Sequence, residues 1–404
     1  MTDISAPSAP ARGTVWEAFR AFLLLGLTSF GGPIAHLGYF RTAFVERRKW
    51  LEDDEFADLV ALCQFLPGPA SSQVGFAVGL RRAGIGGALA AFVGFTLPSA
   101  ILMLAFAAGA SWFSGSIGTG ILTGLKIVAV AIIAQAVWGM ARSLAPDRQR
   151  AAIAALSAVA VLLVLSPVTQ PGVIVLGALA GWLFCRTGDD SAATSVRFGI
   201  SRTAGIACLT AFVVLLVGSP IAARLTGIEE LDLFAAFYRA GALVFGGGHV
   251  VLPLLQTGIV DTGWVTPEQF LAGYGGAQAV PGPLFTVAAH LGAVSTTGPG
   301  SVAGAAIALA GIFPPGFLLL LGVLPFWDAL RDRVWARSMM RGANAAVVGV
   351  LAAALYQPVF TTAVSGPASL ALALVCFIAL VAWKVPPWVV VILGAVGGPL
   401  IALL

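Results

Sequence analysis

Two stretches of this chain, about 215 residues apart, carry the same residues in the same order. Phe30-Gly31-Gly32 returns as Phe245-Gly246-Gly247, Trp50 as Trp264, Phe56 as Phe270 and Gln64 as Gln278. Pro67-Gly68-Pro69 returns as Pro281-Gly282-Pro283, and Ser72 and Thr286 fall at equal distances beyond the two triplets. One single-residue gap aligns all of them, so the chain reads as two copies of one unit. What such a unit can fold into is set by its punctuation. Pro removes a backbone donor and ends a helix, and Gly permits the turn that follows.

Composition supplies the medium in which those breaks must survive. The chain is 59% hydrophobic and 10% charged, against roughly a quarter charged in soluble domains. Its mean hydropathy is +0.96. Stretches without Asp, Glu, Lys or Arg run from Ala83 to Leu125, Ala151 to Cys185, Gln269 to Trp327 and Gly342 to Trp383. The longer ones can each supply two spans of about 20 residues. The expected fold is an all-α polytopic membrane protein. Long spans are expected near 84–108, 118–140, 301–325 and 342–357, with shorter apolar pieces at 151–165, 171–185, 204–218, 368–383 and 387–404. Four further segments, 15–45, 55–80, 232–260 and 268–294, are apolar but punctured. Irregular backbone at membrane depth persists only when buried in protein or lining a wet cavity, so these are expected to be broken helices.

Basic residues decide whether the punctured segments cross or turn back. Arg12 and Arg20 precede the first; Arg41, Arg47, Arg48 and Lys49 follow it; Arg81 and Arg82 follow the second. Simple crossings would put these neighbouring clusters on opposite faces, against the positive-inside preference. Re-entrant hairpins keep them all cytoplasmic, with a cytoplasmic N-terminus. In the second copy the corresponding turns, Asp261 to Pro267 and Ser295 to Gly300, carry no Lys or Arg. The basic cluster Arg331, Arg333, Arg337 and Arg341 instead falls where the first copy has the uncharged Ser111 to Gly120. A charge that changes loops between copies is the expected mark of inverted-topology repeats. The predicted organisation is a disordered tail at 1–13 without a visible signal peptide, a first repeat at 14–186, a linker with a connecting span at 187–231, and an inverted second repeat at 232–404.

The motifs resemble those of the chromate ion transporter family. Phe30-Gly31-Gly32-Pro33 with His36, Gly38-Tyr39 and Phe44-Val45 resembles its first signature. Gln64-Phe65-Leu66-Pro67-Gly68-Pro69 with Ser72-Gln73 resembles its second. Phe245-Gly246-Gly247-Gly248-His249-Val250-Val251-Leu252-Pro253 and Gln278-Ala279-Val280-Pro281-Gly282-Pro283 resemble the second-half signatures of its long, two-domain members. The resemblance covers about 14–404. It implies export of chromate across a bacterial inner membrane, chromate resistance, and sulfate as a competing analogue.

A tetrahedral dianion must shed part of its hydration, so its site has to offer several donors and positive charge. The N-terminus of a half-helix offers both free N–H groups and the positive dipole end. The residues after each Pro-Gly-Pro suit this role: Pro69 to Gln73 and Pro283 to Val287, with Ser71, Ser72 and Thr286 adding hydroxyls. The competing reading of each triplet is a packing kink. Gly31-Gly32 and Gly246-Gly247, extended by Pro33 and Gly248, either line the cavity or permit close helix approach.

Lys126 is the only charged residue between Ala83 and Ala141, which marks it as a candidate anion contact unless it snorkels to an interface or pairs with Glu17. Its counterpart is Asn344. His36 and His249 lie just after the breaks and are candidates for anion contact or proton carriage; His290 is a weaker one. Of Arg20, Arg41 and Arg239, Arg41 is favoured because it closes the first signature. Gln64 and Gln278 are donors or helix-break stabilisers. Glu17 and Asp232 align at the entrance of each repeat, where they serve proton coupling or begin a helix. The acidic run Glu52 to Glu55 with Asp58 reads as a solvated helix start.

Cys63, Cys185, Cys208 and Cys376 show no metal-ligand spacing, and no phosphate-binding, haem, zinc or nicotinamide motif is present, so no cofactor or metal is expected. The net charge of +4 sits in loops and argues topology, not nucleic-acid binding. The expected partners are the anion, the bilayer and, as an option, a second copy of the chain. The reading is a secondary transporter exporting chromate, driven by the proton motive force. Its rivals are transport of sulfate or another oxyanion, a passive anion channel, and a membrane-embedded enzyme.

Overall fold

The computed structural model describes residues 13–30, 32–109, 116–164, 169–185, 199–244, 250–327 and 333–402. Every regular element among them is helical, as the composition requires. Five helices among these residues are long and apolar enough to cross a membrane.

Helix α1 (Val15–Thr28) starts at Thr14, whose hydroxyl accepts the Glu17 N–H at 3.1 Å, and stops at Ser29. After the break come α2 (Gly32–Phe40) and a π-helical turn (Arg41–Arg47). Gly32 has φ 79°, and a Cβ there would meet nothing within 4 Å. It serves the turn and not a close helix contact. The chain then folds back: Phe22 of α1 stacks on Phe44 at 4.7 Å and meets Phe40 edge-on at 5.5 Å.

Helix α3 (Asp53–Phe65) is opened by a reciprocal Glu52–Glu55 cap and closed before Pro67-Gly68-Pro69, after which α4 (Ala70–Ala108) begins. Helix α4 is two helices joined by non-helical Ala83 and Gly84. Gly79 and Gly87 touch across that turn, so 70–82 and 85–108 lie against each other. Arg81 reaches Glu55 at 3.7 Å, which joins the end of 70–82 to the start of α3. Arg82 pairs with Glu17 at 3.0 Å, stacks over Trp50 and accepts the Gly13 N–H on its carbonyl. The starts of α1 and α3, Trp50 and the 83–84 turn therefore share one level. Both punctured segments are hairpins whose tips point away from it.

The second half repeats this construction with different side chains. Helix α9 (Glu229–Ala242) precedes a break, then α10 (Val251–Leu255) runs into a π-helical turn (Gln256–Val260). Helix α11 (Pro267–Ala279) ends before Pro281-Gly282-Pro283, and a 3-10 turn (Leu284–Thr286) leads into α12 (Val287–Val294). Gly300, at φ 57° and ψ −165°, reproduces Gly84, at φ 64° and ψ −157°. Gly292 and Gly304 touch as Gly79 and Gly87 do. The expected continuous span at 301–325 is two helices, α13 (Ser301–Ile312) and α14 (Pro314–Val323), because Pro314 and Pro315 restart the helix.

The remaining helices surround this pair of hairpin sets. They are α5 (Ser116–Leu144), α6 (Arg148–Leu163), α7 (Thr169–Phe184), α8 (Arg202–Thr226), α15 (Val334–Ala354), α16 (Pro367–Val381) and α17 (Pro387–Ala402). Helix α15 begins before the expected 342–357 span and ends in a third π-helical stretch, Leu355–Phe360. It packs on α6 and α7, while α16 and α17 pack on α5.

Two long helical paths fix how the halves face each other. The path 84–108 leaves the base of the first half and passes α1 at Gly94, where a Cβ would stand 2.7 Å from the Phe19 carbonyl. It reaches Gly282 at Ser99 and ends with Phe106 against Gly276 and His290. The path 300–327 does the same starting from the second half, from Gly300 past α9 at Gly311 to Gly316 beside Gly68 and Pro69. Its Phe317 stacks on Phe76 at 4.4 Å, and Trp327 Nε1 donates to Asp58 Oδ1 at 3.4 Å. Each path leaves the base of one half, passes the tips and arrives at the flank of the other. Asp58 corrects an expectation: it is buried under Trp327 and not solvated.

Candidate functional site

The tips of the two halves are joined by a reciprocal pair of backbone hydrogen bonds. The Gly68 N–H donates to the Val244 carbonyl at 2.7 Å, and the Gly282 N–H donates to the Ser29 carbonyl at 2.9 Å. Val244 follows α9 as Ser29 follows α1, so each Pro-Gly-Pro closes on the other half's first break. Both glycines have positive φ, 127° and 100°. Such a backbone is open to glycine and strained for other residues.

Polar atoms concentrate here. Among the described residues nine buried side-chain atoms lack a hydrogen-bond partner, and six of them belong to this region: Ser29 Oγ, His36 Nε2, Ser72 Oγ, Gln73 Oε1, Thr96 Oγ1 and Gln278 Nε2. Buried polar groups are ordinarily satisfied, at a cost of roughly 1–3 kcal/mol when they are not. Their concentration marks the tips as the candidate site. Pro69 provides no side-chain cap to α4, so the first N–H groups of that arm have neither an intrahelical acceptor nor a cap from Pro69. They also present the positive dipole end. His36 Nδ1 lies 3.4 Å from Ser71 Oγ, and its ring meets Phe95 edge-on at 5.2 Å.

Gln73 carries a role that duplication could not reveal. Its Nε2 donates to the Pro67 carbonyl at 3.1 Å and the Gly316 carbonyl at 2.9 Å, which ties the first tip to α14. The corresponding residue of the second half is Val287, so the repeat does not single Gln73 out, although it falls within the second signature. Ser29 and Thr96 were silent in the sequence for the same reason. Thr286 departs from its counterpart Ser72, because its hydroxyl donates to the Pro283 carbonyl at 2.8 Å and so closes its own turn.

Other expected site residues stand apart from this cluster. Arg41 lies at the base of the first half, 46% exposed and held by Asp53 and Glu46. It grips Asp53 with two bonds of 2.8 and 3.0 Å. Glu17 is paired with Arg82, not with Lys126. Asp232 sits in the first turn of α9, where the turn contact falls to Glu229, which accepts the Gly298 N–H at 3.0 Å. Arg20 and Arg239 are exposed. His290 is bonded to the Gln269 carbonyl at 3.2 Å. Lys126 and Asn344 are half-buried on α5 and α15, and Asn344 Oδ1 has no partner. Gly31, Gly246, Gly247, Gly248 and His249 lie outside the described residues, as do Arg331 and 111–115.

The two Pro-Gly-Pro hairpins are covered unequally. Leu271, Gly275 and Gln278 line one face of α11 and are buried; the matching face of α3, Ala57, Ala61 and Gln64, is exposed. Helix α5 covers α11 so closely that a Cβ on Gly275 would stand 2.8 Å from the Leu125 carbonyl. Lys126 is the next residue along α5.

Comparison with known proteins agrees with this construction. A family described as Chromate transporter matches residues 16–182 and 231–399, one segment per half. The chain is 29% identical over 407 residues to a chromate transport protein of Pseudomonas aeruginosa, covering 98% of this chain and 94% of the relative. It is 26% identical over 379 residues to a chromate transport protein of Cupriavidus metallidurans, covering 88% and 87%. An uncharacterized transporter of Methanocaldococcus jannaschii is 27% identical over 349 residues, covering 83% and 82%. No solved structure matches.

Proposed function

The chain belongs to the Chromate transporter family, and from that premise we propose that it exports chromate from the cytoplasm as a secondary active transporter driven by the proton motive force. Chromate resistance is the expected outcome in a bacterial inner membrane. The observation that carries the site assignment is the reciprocal closure of the tips, Gly68 on Val244 and Gly282 on Ser29, amid six unpartnered buried polar atoms. A dianion between the tips would take hydrogen bonds from the Ser29 and Ser72 hydroxyls, the Gln278 amide and the first N–H groups of the 70–82 arm. Lys126, one residue beyond the contact of Leu125 with Gly275, would supply compensating charge from beside that cluster. His36 would add a donor from Nε2 in the tautomer that carries its proton there.

The inverted arrangement of 14–186 and 232–404 is supported by 84–108 running from the base of the first half to the flank of the second while 300–327 runs from the base of the second half to the flank of the first. Alternating access is supported by the unequal covers of α3 and α11. Helix α5 closes one hairpin face while the corresponding face of α3 is open. Exchanging those roles, with α15 closing on Ala61 as α5 closes on Gly275, would expose the tips to the other side. The Arg-rich bases of the first half then face the cytoplasm, with the N-terminus.

Inverted membrane vesicles from cells carrying the protein test this reading. Energised vesicles are expected to accumulate labelled chromate, to lose it on adding an uncoupler, and to be competed by sulfate, a tetrahedral ion of equal charge. Uptake unaffected by uncoupler would indicate a channel. Absence of uptake would end the transport proposal.

A further inference from the structure

A cavity of about 400 Å³, lined by polar and apolar residues and by none of the tip residues named above, opens elsewhere in the fold. It lies between the two halves: α6 and α7 wall one side, and α10 with its π-helical turn and the π-helical end of α15 wall the other. Its mouth is at Asp261, which begins the turn at the base of the second half, where the Trp264 carbonyl accepts the Thr296 N–H at 2.9 Å. Helix α6 begins at Arg148 and Arg150 and reaches the cavity only at its far end, so the opening lies on the face opposite those arginines.

The polar lining has one sign. It consists of the Asp261 carboxyl, the amides of Gln170, Gln256 and Gln357, and the hydroxyls of Thr169 and Thr257, with no Lys, Arg or His. Gln256 hydrogen-bonds the Asp261 side chain, and Thr257 Oγ1 lies 3.4 Å from Gln170 Oε1 across the seam between the halves. A chromate dianion would meet a carboxylate here and no compensating charge, so this is not a second anion site. Among the described residues no ion pair reaches Asp261. Of the elements packed on its turn, α9 carries Arg239, whose guanidinium would stand 3.8 Å from a Cβ on Gly258, and α11 carries Glu268 in its first turn. Helices α6, α7 and α15 bring no charge to the cavity. Asp261 is exposed at the mouth, and partial desolvation of its carboxyl there raises it above the ordinary range, against the bond from Gln256. Two of the wall elements are π-helical, a distortion concentrated at functional sites.

We propose that this cavity is the outer binding site of the coupling proton, with Asp261 as the group that takes it up. The inference rests on the reading of the chain as a proton-driven exporter. The carboxylate accepts one proton from the outer face and is regenerated when that proton leaves on the other side, so charge and atoms balance over a cycle. A cavity walled by both halves is suited to coupling because protonation removes the one charge in its lining.

Two measurements on the full chain in liposomes test it. Infrared difference spectra between high and low pH are expected to contain a protonated-carboxyl band that Asp261→Asn abolishes and Asp261→Glu retains at a shifted position. In transport, Asp261→Asn is expected to lose gradient-driven chromate accumulation at least tenfold while chromate–chromate exchange persists, and Glu268→Gln is expected to behave as wild type. A band unaffected by Asp261→Asn, or accumulation with wild-type pH dependence in that variant, would overturn the assignment. Uptake driven by a sodium gradient at constant pH would overturn the proton as the bound ion. If the wild-type protein moves no chromate yet the Asp261 band titrates, the export reading fails and the proton site stands.

Discussion

Replacing Gly68 or Gly282 with alanine should disable transport, and the size of the effect can be worked from the tips. At φ 127° and 100° an alanine would sit in a region L-residues rarely adopt, a strain of about 1–3 kcal/mol. The new methyl of Gly68→Ala would stand 2.9 Å from the Gly316 Cα, a backbone atom that cannot swing aside. In Gly282→Ala it would stand 2.8 Å from Ser99 Oγ and 3.2 Å from the Phe95 carbonyl. Relief requires the tip to withdraw, which breaks its bond to Val244 or Ser29, worth about 1 kcal/mol. The closed arrangement should therefore lose about 2–4 kcal/mol, a shift of roughly 30- to 700-fold in its population. Gly38→Ala is the control, since no atom lies within 4 Å of its Cβ position and its φ is not positive. Chromate accumulation in inverted vesicles and the unfolding midpoint of the purified protein are the readouts. Wild-type accumulation and an unchanged midpoint in both tip variants would refute the idea that the crossed bonds hold the working structure.

Further outcomes are expected elsewhere. Lys126→Gln should fold with an unchanged midpoint and lose chromate accumulation at least tenfold; full activity would remove Lys126 from the site. Ala61→Trp enlarges the open face of α3 and should trap the arrangement in which α5 covers α11, giving retained binding without turnover; normal turnover would refute the exchange of covers. Cysteines introduced at Lys49 and Thr296 should label from opposite faces of the membrane, and labelling from one face would refute inversion of the halves. Hydrogen bonding from Arg41 holds the Asp53 carboxyl below the usual carboxylate range. Its contribution is thus present above the ordinary carboxylate value and is lost as pH falls through the depressed one. Asp53→Asn should lower the unfolding midpoint at neutral pH and converge with wild type in strong acid; a gap that persists in acid would contradict this.

Breaks and spans were legible because Pro and Gly act locally. Pro67-Gly68-Pro69 and Pro281-Gly282-Pro283 end their helices wherever they stand, and charge-free runs mark the helices that follow. Arg81, Arg82 and Lys49 pointed to hairpins with a common base, and Arg82 does meet Glu17 and Trp50 there. Three things were not. Gln73 and Thr96 act through partners from distant segments, and no local pattern distinguishes them from packing residues. Arg41 matched the family signature but is held at the base by Asp53, a pairing that depends on how the π-helical turn places its side chain. Gln64 and Gln278 are equivalent in sequence and opposite in burial, because α5 covers one hairpin and, among the described residues, no equivalent helix covers the other. The copies predict shared structure; what differs between them arises from packing that duplication leaves unspecified.

The crossed bonds between the tips also bear on how the protein is made. The Ser29 carbonyl leaves the ribosome long before its donor, the Gly282 N–H, and Gly68 likewise waits for Val244. At ordinary synthesis speeds of about 5–20 residues per second, the first tip exists for roughly 10–50 s before its partner. A lone carbonyl or amide cannot rest in hydrocarbon over that interval without some substitute, such as water or the insertion machinery. The first half is thus expected to enter the bilayer as an unfinished intermediate, vulnerable to quality-control proteases, and to become a stable body only when the second half follows it.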